Sequence, residues 1–350
     1  MKKNILFFIV IIISALSCQD SVNIELSQEC EKSFEITAPN GFEIILLETI
    51  EYNGNLTEIQ FIDDMTGYLL GSNNEGGYAD IFKTTDGGKT WDNMELILRE
   101  VPRNMFFLND NIGFVTFYGS NGNLLKTTDG GENWYELSYN DLTGVMYHLQ
   151  KDKENNIYSM ITDTKSNPLL LKSSDTTKTW RVINDSPDFG FDLITFSFKV
   201  YDENIYISGK NKEILITDLE GNLKSTIQTG LDGIWDFEII DEDNIIVTGS
   251  SKTIKSIDGG KNWVDIYDKS ARLIDFSNPD EGLMILNKSY CPSDVYQSND
   301  VIGFTNDAGI NWIESNPVIN LKRNYSDNIV LSSGKYLILI ENSIYELIRK

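Results

Sequence analysis

One short motif recurs along this chain and constrains its fold more than any other feature. Each copy has Ser or Thr two positions before an Asp, and Trp five positions after that Asp. The five copies contain Asp86 and Trp91, Asp129 and Trp134, Asp175 and Trp180, Asp258 and Trp263, and Asp307 and Trp312. A recurring motif of this kind indicates an architecture assembled from similar structural units.

The spacing of the motif predicts the size of the unit. Neighbouring copies are roughly 40 to 50 residues apart, which is the length of one four-stranded propeller blade. The gap after Asp175 is about twice as long, and a degenerate copy around Asp218, with Leu223 in place of Trp, divides it. Short alternating runs separated by turns rich in Asn, Asp and Gly surround each copy, as is typical of an all-β fold.

The phrase Lys-Thr-Thr-Asp-Gly-Gly-Lys-Thr-Trp, which ends at Trp91, resembles the BNR or Asp-box propeller repeat, and the resemblance covers about residues 41–350. Gly followed by Tyr or Phe after an acidic turn, combined with Thr-Thr-Asp-Gly-Gly-x-x-Trp, is most similar to propellers of the photosystem II stability/assembly-factor type. Sialidases, xyloglucanases and sortilin-type receptors share the motif. The resemblance therefore implies a fold and leaves the function open.

The number of blades follows from the motif and the two ends of the chain. Six motif positions account for six blades, and the tail supplies strands near residues 328–331, 336–340 and 344–348. The segment Phe42–Thr49 aligns with the strand that starts at each Trp, so we expect it to complete the last blade and close the ring. The sequence predicts one propeller of seven four-stranded blades, with six or eight blades as alternatives.

Residues 1–17 have the layout of an export signal, with Lys2 and Lys3 before an apolar run and small residues before Cys18. Leu-Ser-Cys at this place resembles a bacterial lipobox, which implies that Cys18 becomes a lipidated N-terminus. Ordinary cleavage that leaves a free Cys is the alternative. We expect residues 18–40 to tether the anchor to a propeller over residues 41–350. The location expected is the outer membrane, on either its periplasmic or its surface side.

The formal net charge of −24 argues against two classes of partner. An acidic surface repels nucleic acid and anionic membranes, so membrane contact is expected only through the lipid. We expect a monomer. With Cys18 lipidated, Cys30 and Cys291 remain, and an exported protein can either join them in a disulfide or keep two thiols.

The Asp boxes are predicted to be structural. A carboxylate in such a turn accepts backbone N–H bonds and fixes the turn, and the Trp packs between sheets. Five copies around one ring also exceed what a catalytic site needs. In the resembled families these motifs lie away from the ligand face, which implies the same placement here.

Catalytic signals are weak. His148 is the single His and is expected to be an ordinary inner-strand residue, and no Gly-x-Ser-x-Gly motif accompanies it. The resembled sialidases use three converging Arg, one in an N-terminal Arg-Ile-Pro-like motif, and this chain has no Arg before Arg99. We therefore predict no catalytic residue, metal or cofactor, since the acidic turns lack the EF-hand pattern. A glycosidase with two carboxylates stays open as an alternative.

The predicted binding face is the end opposite the Asp boxes, where variable loops join the second strand to the third and the fourth to the next blade. Its candidate contact residues are Tyr78, Tyr118, Tyr139, Phe189, Trp235, Tyr290, Tyr296 and Arg323. These aromatic residues can anchor a protein partner in the envelope or stack on a polysaccharide. The alternative is that Trp235 fills the inner core and the Tyr side chains lie scattered on the surface. We favour a non-catalytic scaffold that binds a protein, with carbohydrate binding or hydrolysis as the second hypothesis.

Overall fold

The strands of this chain build seven antiparallel sheets. The structure, a computed structural model, describes residues 42–73, 78–94, 101–118, 124–137, 146–162, 167–174, 176–185, 197–209, 212–276, 280–288, 299–314, 318–319, 329–332, 335–340 and 342–349. Within these ranges the regular structure is all strand. No helix in this part of the chain is long and apolar enough to cross a membrane.

The first strand, β1 (Phe42–Thr49), belongs to the last blade, and the first three blades follow it in chain order. Their strands, from the inside of the ring outward, are β2 (Gly54–Phe61), β3 (Gly67–Asn73), β4 (Ala79–Thr84) and β5 (Asp92–Asn93); β6 (Pro102–Phe107), β7 (Gly113–Phe117), β8 (Leu124–Thr127) and β9 (Tyr135–Leu137); and β10 (Met146–Lys151), β11 (Ile157–Thr162), β12 (Pro168–Ser173) and β13 (Arg181–Asn184).

The next three blades repeat this order. Their strands are β14 (Phe198–Tyr201), β15 (Asn204–Ser208), β16 (Glu213–Asp218) and β17 (Leu223–Gln228); β18 (Ile234–Ile239), β19 (Asn244–Gly249), β20 (Thr253–Ile257) and β21 (Val264–Tyr267); and β22 (Ala271–Phe276), β23 (Gly282–Lys288), β24 (Asn299–Thr305) and β25 (Ile313–Glu314). A short additional strand, β26 (Val318–Ile319), pairs with β24.

The seventh blade joins the two ends of the chain. Its inner strands are β27 (Ile329–Ser332), β28 (Lys335–Ile340) and β29 (Ser343–Arg349), and β1 pairs with β29 as the outer strand. Phe42 faces Arg349 and Thr49 faces Ser343 in this pairing. The predictions of seven blades, and of a final blade completed by Phe42–Thr49, are confirmed.

The hydrophobic core lies between the blades rather than in one central layer. Each of the seven junctions holds one cluster of buried side chains contributed by both neighbours. The cluster between blades seven and one joins Leu339 and Ile344 to Leu56, Ile59 and Leu69. Burying the apolar face of every sheet against the next one is what makes a ring of blades stable.

The two ends of the ring differ in the connections they carry. The Asp-box turn, between the third and fourth strands, lies beside the turn between the first and second strands of the same blade. The amide of Gly87 bonds to the carbonyl oxygen of Met65 at 2.9 Å, and the amide of Gly130 bonds to that of Asn111 at 2.8 Å. We call this end the Asp-box face and the opposite end the loop face.

Candidate functional site

The Asp of the first box is bound by its own turn. Asp86 Oδ1 accepts the amides of Lys89 at 3.0 Å and Thr90 at 2.9 Å, and its Oδ2 accepts the Thr90 hydroxyl at 2.7 Å. The hydroxyl of Thr84 donates to Asp86 Oδ1 at 2.9 Å and accepts the amide of Gly88 at 3.0 Å. The Ser or Thr and the Asp of the motif thus fold the turn together.

The other boxes whose Asp is described use corresponding bonds. Asp129, Asp258 and Asp307 each accept the backbone amide and the side-chain amide of an Asn four residues later. The degenerate copy keeps this arrangement, since Asp218 accepts both groups of Asn222 at 2.8 and 2.9 Å. Loss of Trp in that repeat has therefore left the turn intact.

Hydrogen bonds to the ionised carboxylate lower the pKa of these Asp side chains. The side-chain and backbone groups of Thr90 lower the pKa of Asp86 to about 2. The corresponding groups of Asn262 lower the pKa of Asp258 to about 2. A general acid or base at neutral pH needs a pKa near 7. Asp86 and Asp258 are thus ionised at neutral pH and hydrogen-bonded within their own turns.

The box Trp side chains pack as the sequence analysis expects. Trp91 donates its Nε1–H to Gly88 O at 3.0 Å, and its ring meets Phe61 edge to face at 5.9 Å between centroids. Trp134 donates to Gly131 O at 2.9 Å and meets Phe107 edge to face at 6.0 Å. These contacts belong to the blade junctions. Asp175 lies outside the described residues, so its role stays a prediction.

A buried Lys links neighbouring boxes. Four copies of the motif carry Lys three positions before the Asp, and its ammonium group reaches the box of the next blade. Lys126 donates to Thr176 O at 2.5 Å, and Lys255 donates to Ala308 O at 2.7 Å. Lys126 and Lys255 are both buried. On the Asp-box face, hydrogen bonds from these Lys side chains therefore connect neighbouring blades.

The Asp carboxylates of the acidic turns on the same face also accept hydrogen bonds from nearby backbone amides. Asp63 Oδ1 accepts the amides of Met65 and Thr66 at 2.8 and 2.6 Å, and these bonds lower its pKa. Asp241 Oδ1 accepts the amides of Asp243 and Asn244 in the same way. Within the described ranges, no group of three or more His, Cys, Asp or Glu side chains is arranged to hold a metal ion.

On the loop face, five inner strands share an irregularity near their start. In each, one residue is skipped by the ladder with the second strand, which is the register of a β-bulge. The skipped residues are Thr57, Arg103, His148, Trp235 and Arg272. A bulge turns its side chain out of the regular alternation. Because inner strands line the channel of a propeller, these positions surround the mouth of that channel.

Trp235 is the most informative of the bulge residues. Its side chain is 39% exposed, although the strand that carries it contributes the buried Phe237 to the core. Trp235 is therefore not fully enclosed in the inner core. A partly exposed indole ring at the mouth of a channel can contact a ligand.

A second aromatic group surrounds Arg103, at the bulge of β6 in the second blade. The guanidinium carbon of Arg103 lies 3.9 Å from the centroid of the Tyr147 ring and 4.9 Å from that of Tyr118. Tyr147 is buried, and burial raises the pKa of its hydroxyl. Tyr118 is 45% exposed. The two rings thus hold the Arg in a fixed orientation by cation–π contact.

The predicted contact residues are only partly covered by the structure. Tyr118 and Trp235 are exposed on the loop face, whereas Tyr78 is half-buried and bonds through its backbone to Asn73. The remaining candidates lie outside the described residues: Tyr139, Phe189, Tyr290, Tyr296 and Arg323. The predicted anchor Cys18 and the predicted pair Cys30 and Cys291 also lie outside them.

Sequence reasoning missed Arg103 and Tyr147, and it expected His148 to be an ordinary inner-strand residue. His148 is half-buried at the bulge of β10, with a φ of 21°. A left-handed backbone at a non-Gly residue is uncommon. The signal that could have found these residues is their common place in successive repeats, because each stands near the start of an inner strand.

The comparisons with known proteins agree with the fold and with the resemblance. Residues 39–187 match the family model described as Photosynthesis system II assembly factor YCF48, which confirms the expected similarity over that stretch. No curated protein sequence matches the chain.

Solved structures match along most of the chain at low identity. The structure described as YCF48 bound to D1 peptide has a TM-score of 0.66 and 15% identity, over 91% of this chain and 100% of that one. YCF48 from Cyanidioschyzon merolae has a TM-score of 0.62 and 14% identity, over 87% and 98%. A catalytically inactive virginiamycin B lyase from Staphylococcus aureus with quinupristin has a TM-score of 0.60 and 12% identity, over 87% and 99%. Identities this low establish the fold alone.

Proposed function

We propose that this assembly-factor-like propeller is a non-catalytic scaffold that binds a protein partner of the cell envelope with its loop face. The exposure of Trp235 at a bulge on the mouth of the channel is the observation that carries the proposal. Trp and Arg dominate the energetics of protein interfaces. The loop face presents both, with Arg103 fixed between two Tyr rings.

Two comparisons support a protein as the ligand. The family model that matches residues 39–187 describes an assembly factor, and one structural relative is described as bound to a peptide. The Asp-box face offers a poorer surface, because its carboxylates and ammonium groups are bonded within the ring. Nothing in the chain indicates a photosynthetic host, so the proposed partner is defined by its place in the envelope and not by a photosystem.

The partner is tested by capture on immobilised protein from detergent-solubilised native envelope. The decisive variant is Trp235→Ala with Tyr118→Ala, and we expect it to lose at least 90% of a stoichiometric partner, in line with the energies of aromatic anchors. The matched control is Ile257→Ala with Ile310→Ala, which removes two exposed apolar side chains from the Asp-box turns. Equal capture by both double variants would show that the loop face is not the binding surface.

We also propose where the protein is located. Cys18 is the proposed lipidation site, and the acceptor membrane is the outer membrane. Metabolic labelling with palmitate is expected to label the native chain and not Cys18→Ala, which should stay unanchored. Labelling of the Cys18→Ala protein, or membrane extraction of the native protein by salt alone, would contradict a lipid anchor.

A second candidate function is carbohydrate binding, favoured by the same exposed Trp235 and Tyr118 rings. Flat aromatic side chains stack on sugar rings as readily as they pack in protein interfaces. Saturable depletion of a cell-surface polysaccharide by the native protein, abolished by Trp235→Ala, would support it. Release of new reducing ends during that incubation would make the protein a glycoside hydrolase.

A further inference from the structure

Two residues on the loop face, Asp232 and Gly233, connect two buried residues, and we call this pair the arch. The arch lies between β17 and β18, and the side chain of Asp232 is 88% exposed. Leu231 before it and Ile234 after it are buried in the cluster between blades four and five. Trp235, the exposed residue at the bulge, follows directly. The length of the arch therefore affects the position of Trp235.

Asp followed by Gly is a reactive pair. The backbone nitrogen of the Gly can attack the side-chain carbonyl carbon of the Asp, because Gly has no Cβ that hinders the approach. The new C–N bond closes a five-membered succinimide ring, and the carboxyl hydroxyl leaves with the amide proton as water. Water then opens the ring at either carbonyl, and no oxidant or reductant takes part. Opening at the backbone carbonyl yields isoaspartate, whose main chain is one carbon atom longer.

The other three Asp-Gly pairs of the chain lie in Asp boxes, where hydrogen bonds hold both reacting groups. The amides of Gly87, Gly130 and Gly259 donate to backbone carbonyl oxygens at 2.9, 2.8 and 3.0 Å. The hydroxyl and the amide of Thr90 bond to Asp86 and lower its pKa to about 2. An ionised carboxylate has no hydroxyl to lose. The box turns therefore suppress the attack at these pairs.

The arch lacks these restraints. In the described part of the chain, the amide of Gly233 donates no backbone hydrogen bond. The carboxylate of Asp232 forms one ion pair there, with Lys212 at 3.9 Å, and both side chains are largely exposed, so this pair contributes little. Apart from the adjacent residues, no atom lies within 4 Å of the position that a Cβ on Gly233 would take. Neither reacting group is therefore held in place by the fold.

We propose that Asp232 is a site of spontaneous isomerisation to isoaspartate, and that this modification moves Trp235 on the loop face. The isomerised chain has one more main-chain carbon between Leu231 and Ile234, whose side chains are fixed in the core. Bond angles and peptide planarity resist distortion, so rotation of the neighbouring backbone absorbs the added length.

The packing of the arch directs this rotation towards the bulge. The carbonyl oxygen of Gly233 lies 2.7 Å from the position that a Cβ on Gly249 would take, so the arch already touches β19 and cannot move inward. Ile234 pairs with Gly249, but the ladder skips Trp235. The bulge is therefore the first place after the arch that has no cross-strand partner to hold it.

The modification links the age of a protein molecule to its binding surface. The reaction needs only water, so every copy of the chain undergoes it at a rate set by the fold, and older copies carry a displaced Trp235. Loss of partner capture by these copies rests on the proposed function. The modification itself and the movement of Trp235 do not rest on it.

Incubation of the full-length protein in warm neutral buffer tests the proposal. Peptide mapping with electron-transfer fragmentation measures isoaspartate at all four Asp-Gly pairs; isomerisation leaves the mass unchanged, whereas deamidation of an Asn raises it. The indole N–H resonance of Trp235, assigned with Trp235→Phe, reports its surroundings by NMR. Two variants are controls: Asp232→Glu keeps the charge but would have to close a less favourable six-membered ring, and Gly233→Ala places a hindering Cβ where the structure has room.

We expect isoaspartate to accumulate faster at Asp232 than at Asp86, Asp129 or Asp258. Attack within a box must first break hydrogen bonds to a charged group, each of which slows the step by about tenfold. The resonance of Trp235 should shift in step with the modification and stay native in both control variants. Equal rates at all four pairs would overturn the proposal, and so would isoaspartate at Asp232 with an unshifted Trp235.

Capture of the envelope partner by fresh and by incubated protein separates this proposal from the proposed function. Loss of capture in incubated native protein, but not in incubated Asp232→Glu, would support both. If fresh native protein captured nothing, the proposed function would fail, while peptide mapping and NMR would still decide on the modification. Undiminished capture by fully isomerised protein would contradict a link between the modification and binding.

Discussion

The ammonium group of Lys83 donates a hydrogen bond to the carbonyl oxygen of Gly130, 3.1 Å away, across the junction between the first two blades. The amide of the same Gly130 bonds to the first turn of its own blade, at Asn111. The carbonyl of Gly130 therefore bonds to the neighbouring blade, and its amide bonds to its own blade. The other three motif Lys residues make the corresponding hydrogen bond to the next blade. In the last box, which precedes the seventh blade, Phe304 stands in place of Lys.

Removing one of these Lys side chains is expected to weaken the junction it spans. Lys255→Met leaves the carbonyl of the half-buried Ala308 without the donor that the buried Lys255 supplies at 2.7 Å. The free energy of unfolding should fall by about 1–3 kcal/mol, the range for a lost hydrogen bond to a charged group. Denaturant titration measures this, and Lys261→Met, which replaces an exposed Lys of the same repeat, should change the value by less than about 0.5 kcal/mol. Equal effects of the two changes would contradict a structural role.

The low pKa of Asp86 predicts an acid dependence of stability. Its folded pKa of about 2 lies below the ordinary value of 3.8. The ionised carboxylate therefore stabilises the folded protein above pH 3.8, and the contribution disappears as the pH falls towards 2. Asp86→Asn should be less stable than the native protein at pH 6 and should approach it at pH 2. Thermal unfolding across this range measures the difference, with Asp268→Asn at an exposed site as the control.

A second substitution of Asp86, to Ala, separates a structural role from a role in binding. If the Asp boxes are structural, Asp86→Ala should lower the melting temperature while capture of the partner at low temperature stays unchanged. Full stability combined with lost capture would place the box in the binding site. Measuring both properties on one sample makes the two outcomes distinguishable.

The third box is expected to be strained. Thr176 and Thr177 have φ values of 61° and 69°. The boxes of Asp86, Asp129 and Asp258 carry Gly at both positions, and the box of Asp307 carries Ala308 and then Gly309. The buried Oγ1 of Thr177 has no hydrogen-bond partner among the described residues. A β-branched residue with positive φ is unfavourable, as is an unsatisfied buried hydroxyl.

Thr177→Gly should therefore raise the free energy of unfolding by about 1 kcal/mol, after subtracting the entropy that Gly adds to the unfolded chain. Thr226→Gly, at an exposed position in β17, should lower it by a similar amount, because Gly weakens a regular strand. A loss of stability in both variants would show that the turn tolerates Thr without strain.

Asn342 is expected to hold the ring closed. Its Nδ2 donates to the carbonyl oxygens of Tyr52 and Gly54, both at 3.2 Å, and its Oδ1 accepts the amide of Leu56 at 3.3 Å. Asn342→Ala should lower the free energy of unfolding by about 2 kcal/mol, because it leaves several backbone groups without partners. The neighbouring Ser343→Ala, which removes an exposed hydroxyl pair with Thr49, should cost less than about 0.5 kcal/mol. Chemical denaturation of both variants makes the comparison.

The sequence predicts most of the scaffold because the scaffold is periodic. Asp86 and its equivalents fix the turn of each blade with local bonds, so their spacing reveals the size and number of the units. The pairing of Phe42–Thr49 with the C-terminal strand follows from the same alignment. These features depend on contacts within one repeat or on the need to close a ring.

The loop face was predicted less completely, for a physical reason. The Arg103 stack combines Arg103 of β6, Tyr118 directly after β7 and Tyr147 of β10, so no linear motif contains it. The bulge that exposes Trp235 depends on pairing with β19. The contact of Lys83 with Gly130 also crosses a blade junction. The constant position of Lys in the motif could have indicated this contact.

Closure of the ring by β1 sets the order in which the protein can be completed during synthesis. The hydroxyl contact between Thr49 and Ser343 joins residues 294 positions apart. The apolar strand β1 therefore leaves the ribosome before any other blade strand and finds its partner only after the rest of the blades have been made. Contacts between residues this far apart in sequence slow folding and prolong the exposure of aggregation-prone segments. The first strand translated is the last to be paired, so it is the part of the chain that most needs protection by chaperones.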